Sequence, residues 1–81
     1  MKRIMFFLLD DKENKVETIV TNNTKIMIIK GSRSYLLMGR PGARCNTIYV
    51  DGELNTKINE EWITCVLKPM CSPYGGELIF I

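Results

Sequence analysis

Histidine is absent from this chain. Without imidazole there is no usual general base, no Ser–His or Cys–His pair, and no zinc site of the Cys₂His₂ or His₃ kind. Cysteine is sparse: Cys45, Cys65 and Cys71 form no CxxC pair. An odd, scattered set is not the framework of a disulfide-stapled secreted domain, and a thiolate metal site needs closer pairing and a fourth ligand. The three thiols read as small buried hydrophobes, with a Cys65–Cys71 bridge reserved for an oxidising compartment. No metal, cofactor or small-molecule substrate is expected.

Long apolar runs are missing too. Residues 4–9 behind Lys2-Arg3 imitate the start of a signal peptide, but this stretch is shorter than the ~7–15 residues of an apolar signal core and runs into Asp10-Asp11. Nothing approaches the ~20 apolar residues of a membrane span. The expectation is a cytoplasmic protein without membrane contact. Its 81 residues are enough for a single compact domain over 1–81.

Turn signals cut the chain into short pieces. Residues 4–9 read as a strand closed by the polar stretch 10–14, and 16–21 as a β-branched strand. Asn22-Asn23 make a turn into a third strand over 25–30. Gly31-Ser32 has the glycine-first pattern of a type II′ hairpin, predicting a strand over 34–38. A Gly/Pro-rich loop over 39–44 leads to Thr47–Val50. Asp51-Gly52 then predicts a hairpin returning through 53–58. One short helix is expected at about 59–67, capped by Asn59, with Glu60 and Glu61 in its first turn and Pro69 as its stop, a strand through the β-branched Ile63-Thr64-Cys65-Val66 being the alternative. Its apolar face would carry Ile58, Trp62, Cys65 and Val66. A last strand covers 78–81. The fold class is therefore mainly β: a small hairpin-built sheet or barrel with at most one helix, the alternative being an α+β sandwich.

Two of these strands, 4–9 and 26–29, are apolar on both faces, as strands covered on both sides are. A chain of this length has little material for that. Either the sheet closes into a barrel or another chain covers one face, which makes a protein partner or a homodimer an expectation. Trp62, Leu78 and Phe80 are the candidate interface residues, because a bare apolar terminal strand invites pairing and aromatics anchor interfaces. A lone tryptophan has core packing as its bland reading.

The formal net charge of +2 conceals a division. Between Thr18 and Val50 stand Lys25, Lys30, Arg33, Arg40 and Arg44 with no acid, a segment at +5. Of the eleven basic residues six remain for the rest of the chain, against all nine acids, leaving it at −3. Arginine forks grip phosphates and tyrosine stacks on unpaired bases. Lys25, Lys30, Arg33, Tyr35, Arg40, Arg44 and Tyr49 are accordingly the candidate contacts to RNA or single-stranded DNA. Neither a GxxxxGK[ST] nor a GxGxxG motif is present, so the glycines are turn chemistry.

No catalytic residue emerges. The acids sit in turns where conformation explains them, and the cysteines lack their usual activating partner. The reading is a small non-catalytic regulator or inhibitor that binds a macromolecule, with a nucleic-acid-binding module as the alternative. Ten isoleucines against one alanine suit an AT-rich genome. That bias fits a phage or plasmid gene directed at a host enzyme, defence system or toxin.

Overall fold

The computed structural model describes residues 1–38, 43–71, 73 and 75–81. Five strands, β1 (Lys2–Leu9), β2 (Lys15–Val20), β3 (Thr24–Gly31), β4 (Thr47–Val50) and β5 (Glu77–Phe80), lie in one sheet in the order β2-β3-β1-β4-β5. The protein is β-rich with a small helical layer. Each strand matches a stretch marked by its β-branched and aromatic content, to within two residues.

The connections differ from the expected meander. Only β2–β3 is a hairpin; β1–β3, β1–β4 and β4–β5 are all parallel. Nor does the sheet close into a barrel: β2 and β5 are its two edges. Both corrections come from two glycine-containing turns. At Gly31-Ser32 the chain enters the helix α1 (Arg33–Leu36) instead of reversing, because the Ser32 hydroxyl caps it by accepting from the Tyr35 N–H at 3.3 Å. Leu36 is thereby buried, and the strand expected over 34–38 does not exist. At Asp51-Gly52 a 3₁₀ turn (Gly52–Leu54) forms, capped by Asp51 Oδ1 accepting from the Glu53 N–H at 3.1 Å. The second carboxylate oxygen accepts from the Leu9 N–H at 3.3 Å, tying the end of β4 to β1. The expected return strand over 53–58 is absent: Leu54 is fully buried while Ile58 is 94% exposed.

A second 3₁₀ turn (Lys57–Asn59) runs into a continuous helix, α2, made of Glu60–Trp62, a wider π stretch (Ile63–Leu67) and Lys68–Cys71. The expected helix is there, but it continues through Pro69. A proline clashes with the carbonyl four residues back, and the π stretch widens the helix immediately before it. Asn59 does not cap; its side chain is buried and donates to the Leu54 carbonyl at 3.0 Å. The buried face is Trp62, Ile63, Leu67, Met70 and Cys71, whereas Ile58 and Cys65 of the expected face point to solvent.

This topology decides which side of the sheet is covered. The connections β3→β4 and β4→β5 both cross between parallel strands and move the same way across the sheet. Right-handed crossovers travelling in one direction lie on one face. The core accordingly joins Met5, Phe7, Ile29, Ile48 and Val50 of the sheet to Leu36, Leu54 and the α2 residues.

Candidate functional site

Side chains alternate along each strand, so the register assigns the opposite face directly. Phe6 is level with Ile28 on one side and Tyr49 on the other, and Tyr49 with Ile79; the neighbouring row contains Ile19, Ile26 and Ile4. Phe6 and Tyr49 stack in the middle of this surface, their ring centroids 4.7 Å apart and their planes inclined by 14°. None of Ile4, Phe6, Ile26, Ile28, Tyr49 or Ile79 belongs to the core or packs against it. They are half-buried, and no described residue belonging to the core forms a layer over them. The charges on this side lie at its margins. At one corner the Lys15 Nζ meets Glu17 Oε1 at 2.8 Å, and the ammonium holds the Glu17 carboxyl below its ordinary range.

The three residues named as an interface are placed differently from one another. Trp62 is 8% exposed and meets the Phe7 ring edge-on, with centroids 5.7 Å apart at 89°. Its Nε1 has no hydrogen-bond partner among the described residues. Leu78 and Phe80 pack against the core from β5. The strand's other side chain, Ile79, is the one on the open face.

The basic segment is divided by the fold. Lys25 and Lys30 stand on β3 five residues apart, about 17 Å along the strand and on opposite faces. Arg33 is exposed on α1, and Tyr35 is half-buried where its ring crosses over Gly31. Tyr49 belongs to the open face, and Arg40 lies outside the described residues. Lys25 and Arg44 are brought together, and with them Arg3, whose distance in sequence from the basic segment concealed it. Arg3 and Lys25 are register partners on adjacent strands. With Arg44 they line a pocket of about 90 Å³ on the covered side of the sheet, over Met5, Met27 and Cys45. The Arg3 N–H is held by Asn46 Oδ1 at 2.7 Å.

Cys45, Cys65 and Cys71 are free thiols, of which only Cys65 is exposed. Burial pushes the Cys45 thiol up to about 11, reinforced by Cys71 and partly opposed by Arg3; burial also raises Cys71. These shifts run opposite to those of an activated nucleophile. They also make stability depend on alkaline pH. Below the unfolded value near 9 both states hold the Cys45 proton, and the contribution is complete. Between 9 and about 11 the unfolded chain releases it while the folded chain does not, so stability falls, then levels off. Urea unfolding from pH 8 to 11 is expected to show a steeper decline for the wild type than for Cys45→Ala; parallel curves would remove this assignment.

Among the described residues no group of three or more Cys, Asp or Glu side chains is arranged to hold a metal, and no helix is long and apolar enough to cross a membrane. Comparison with protein-family models, curated proteins and solved structures finds no match.

Proposed function

We propose that this protein is a non-catalytic regulator that acts by docking the open face of its sheet onto another folded protein. The observation carrying the proposal is that face itself: a row of isoleucines around a central Phe6–Tyr49 stack, with charge confined to the margin. Sheets rich in parallel pairs are ordinarily covered on both sides, and here one side is bare. Five strands at ~4.8 Å spacing and ~20 Å length give a footprint of about 500 Å². That whole-face footprint, polar margins included, is under the ~800 Å² that each partner gives to a standard interface. Aromatics at the centre, aliphatics around them and charges at the rim also match how binding energy is distributed in protein interfaces. The partner is accordingly a protein with a flat apolar patch.

The surface suits nucleic acid less well. Phe6 and Tyr49 already cover each other's inner ring faces, and the flanking positions are aliphatic where a base-stacking sheet would place polar groups. The upward-shifted thiols favour the non-catalytic reading.

The test is site-specific photo-crosslinking in the source organism. A photoreactive residue at position 28 should give a discrete protein adduct, and one at Thr64, exposed on α2, should not. Excess wild-type chain should compete the adduct away, and the Ile28→Thr/Tyr49→Thr chain should not. Adducts of equal yield from both positions, or none from position 28, would defeat the proposal. An adduct of twice the chain mass would replace the regulator reading with self-association.

A further inference from the structure

We infer that Arg3, Lys25 and Arg44 form a binding site for a phosphomonoester group. The site is on the opposite side of the sheet from the docking face and does not rest on that proposal. Three separate segments contribute to it: β1 supplies Arg3, β3 supplies Lys25 and the chain entering β4 supplies Arg44. Parallel pairing sets Arg3 directly beside Lys25, both on the covered side. Like charges side by side on adjacent strands repel, and among the described residues no carboxylate lines the pocket to offset them. None of the three forms an ion pair among the described residues; the Lys15–Glu17 pair stands elsewhere. Arg3 and Arg44 are exposed and Lys25 is half-buried, so three cations from separate segments converge on one pocket within reach of solvent, and a bound anion would relieve their mutual repulsion.

The chemistry of the lining selects the anion. Two guanidinium groups offer forked donors that match the oxygens of a phosphate, and the lysine adds a point charge. Three positive charges suit a dianionic phosphomonoester better than a carboxylate or a phosphodiester, each of which brings one negative charge. Below the charges, Met5, Met27 and Cys45 give an apolar, polarisable floor. At about 90 Å³ the pocket holds a terminal group and leaves the remainder of the ligand outside. Both a free nucleotide and the 5′-phosphate end of a nucleic acid present this group.

Binding is measured by titrating the ¹⁵N-labelled full chain at low ionic strength with inorganic phosphate, uridine monophosphate, and one oligonucleotide with and without a 5′-phosphate. Saturable shifts are expected at the amides of Arg3, Lys25, Arg44 and Asn46, weakening as salt is added. Each of Arg3→Gln, Lys25→Gln and Arg44→Ala should weaken uridine monophosphate binding about tenfold or more, the range of a lost charge-assisted hydrogen bond. Lys12→Ala, a cation outside the pocket, and Ile28→Thr, on the docking face, should leave it unchanged. Preference for uridine monophosphate assigns the site to free nucleotides, and preference for the 5′-phosphorylated strand assigns it to nucleic-acid ends. Equal affinity for the two oligonucleotides would overturn the monoester assignment in favour of backbone contact. Unsaturable shifts, or a loss in Lys12→Ala as large as in Arg44→Ala, would overturn the site.

Discussion

Phe7→Ala is expected to cost about 3–5 kcal/mol, a large share of the stability of a chain this size. Phe7 stands on the central strand, is 1% exposed, and presents its ring to the edge-on Trp62 of α2. It is the largest of the fully buried side chains and joins the sheet to the helical layer. Truncation removes the transfer energy of a benzyl group and leaves a cavity that five hydrogen-bonded strands cannot readily collapse to fill. At roughly 0.05–0.15 kcal/mol per residue the whole chain has only about 4–12 kcal/mol to lose. Phe6 supplies the control, since it is the adjacent residue with its ring on the other face. Phe6→Ala should cost about 1–2 kcal/mol, from its stack on Tyr49 and partial burial. Urea unfolding followed by tryptophan fluorescence separates the two, and equal losses would contradict the assignment of faces.

Gly76→Ala is expected to detach β5. A Cβ at that position would stand 2.9 Å from the Asn46 carbonyl carbon, closer still to its oxygen, and 3.2 Å from the Cys45 carbonyl oxygen. Those are backbone atoms at the entry to β4, and they cannot swing aside as a side chain can. The same Asn46 carbonyl accepts the Glu77 N–H at 3.0 Å, the first bond holding β5 to β4. Relieving the clash therefore breaks the pairing that follows it, with an expected loss of about 3 kcal/mol, in the range of strain and overpacking at a rigid site. Amide exchange should accelerate across 77–81 and much less in β1 and β3. Gly75 next door provides the comparison. It has a positive φ of 60° but nothing within 4 Å of an added Cβ, so Gly75→Ala should cost only about 1 kcal/mol of backbone strain. If the two substitutions cost the same, close approach is not the reason for glycine at position 76.

Both experiments turn on contacts between segments far apart in sequence, and those were the contacts local reasoning could not supply. The five strands were legible because β-branched and apolar residues cluster between polar turns. The helix was legible in its placement, but not in its continuation through Pro69 or in which side is buried. The two turns that become helical instead of reversing the chain have a common cause. Gly31-Ser32 and Asp51-Gly52 suit a hairpin, yet Ser32 and Asp51 are also good caps for a helical turn. Short-range chemistry leaves that choice open. The gain from burying Leu36 and Leu54 beneath crossovers settles it.

The candidate sites divide along the same line. That β1 and β3 are apolar on both sides can be read from residues 4–9 and 26–29 alone, because the side-chain period of a strand is two. A deficit of covering material follows from that pattern and the chain length. The open topology was needed to show that no barrel relieves the deficit, and the direction of the crossovers to show which face stays bare. With the basic residues the order is reversed. The +5 count over 18–50 is a property of the sequence, but charge counted along a chain is not charge gathered in space. An odd spacing on β3 sends Lys25 and Lys30 to opposite faces, while parallel pairing brings in Arg3 from outside the segment. Absence of histidine, strand content and a two-sided apolar core strand were determined by the sequence, since each is a matter of residue type or local period. The bare face, the division of the positive charge and the gathering of Arg3, Lys25 and Arg44 were decided by tertiary structure, since each depends on which strands lie side by side.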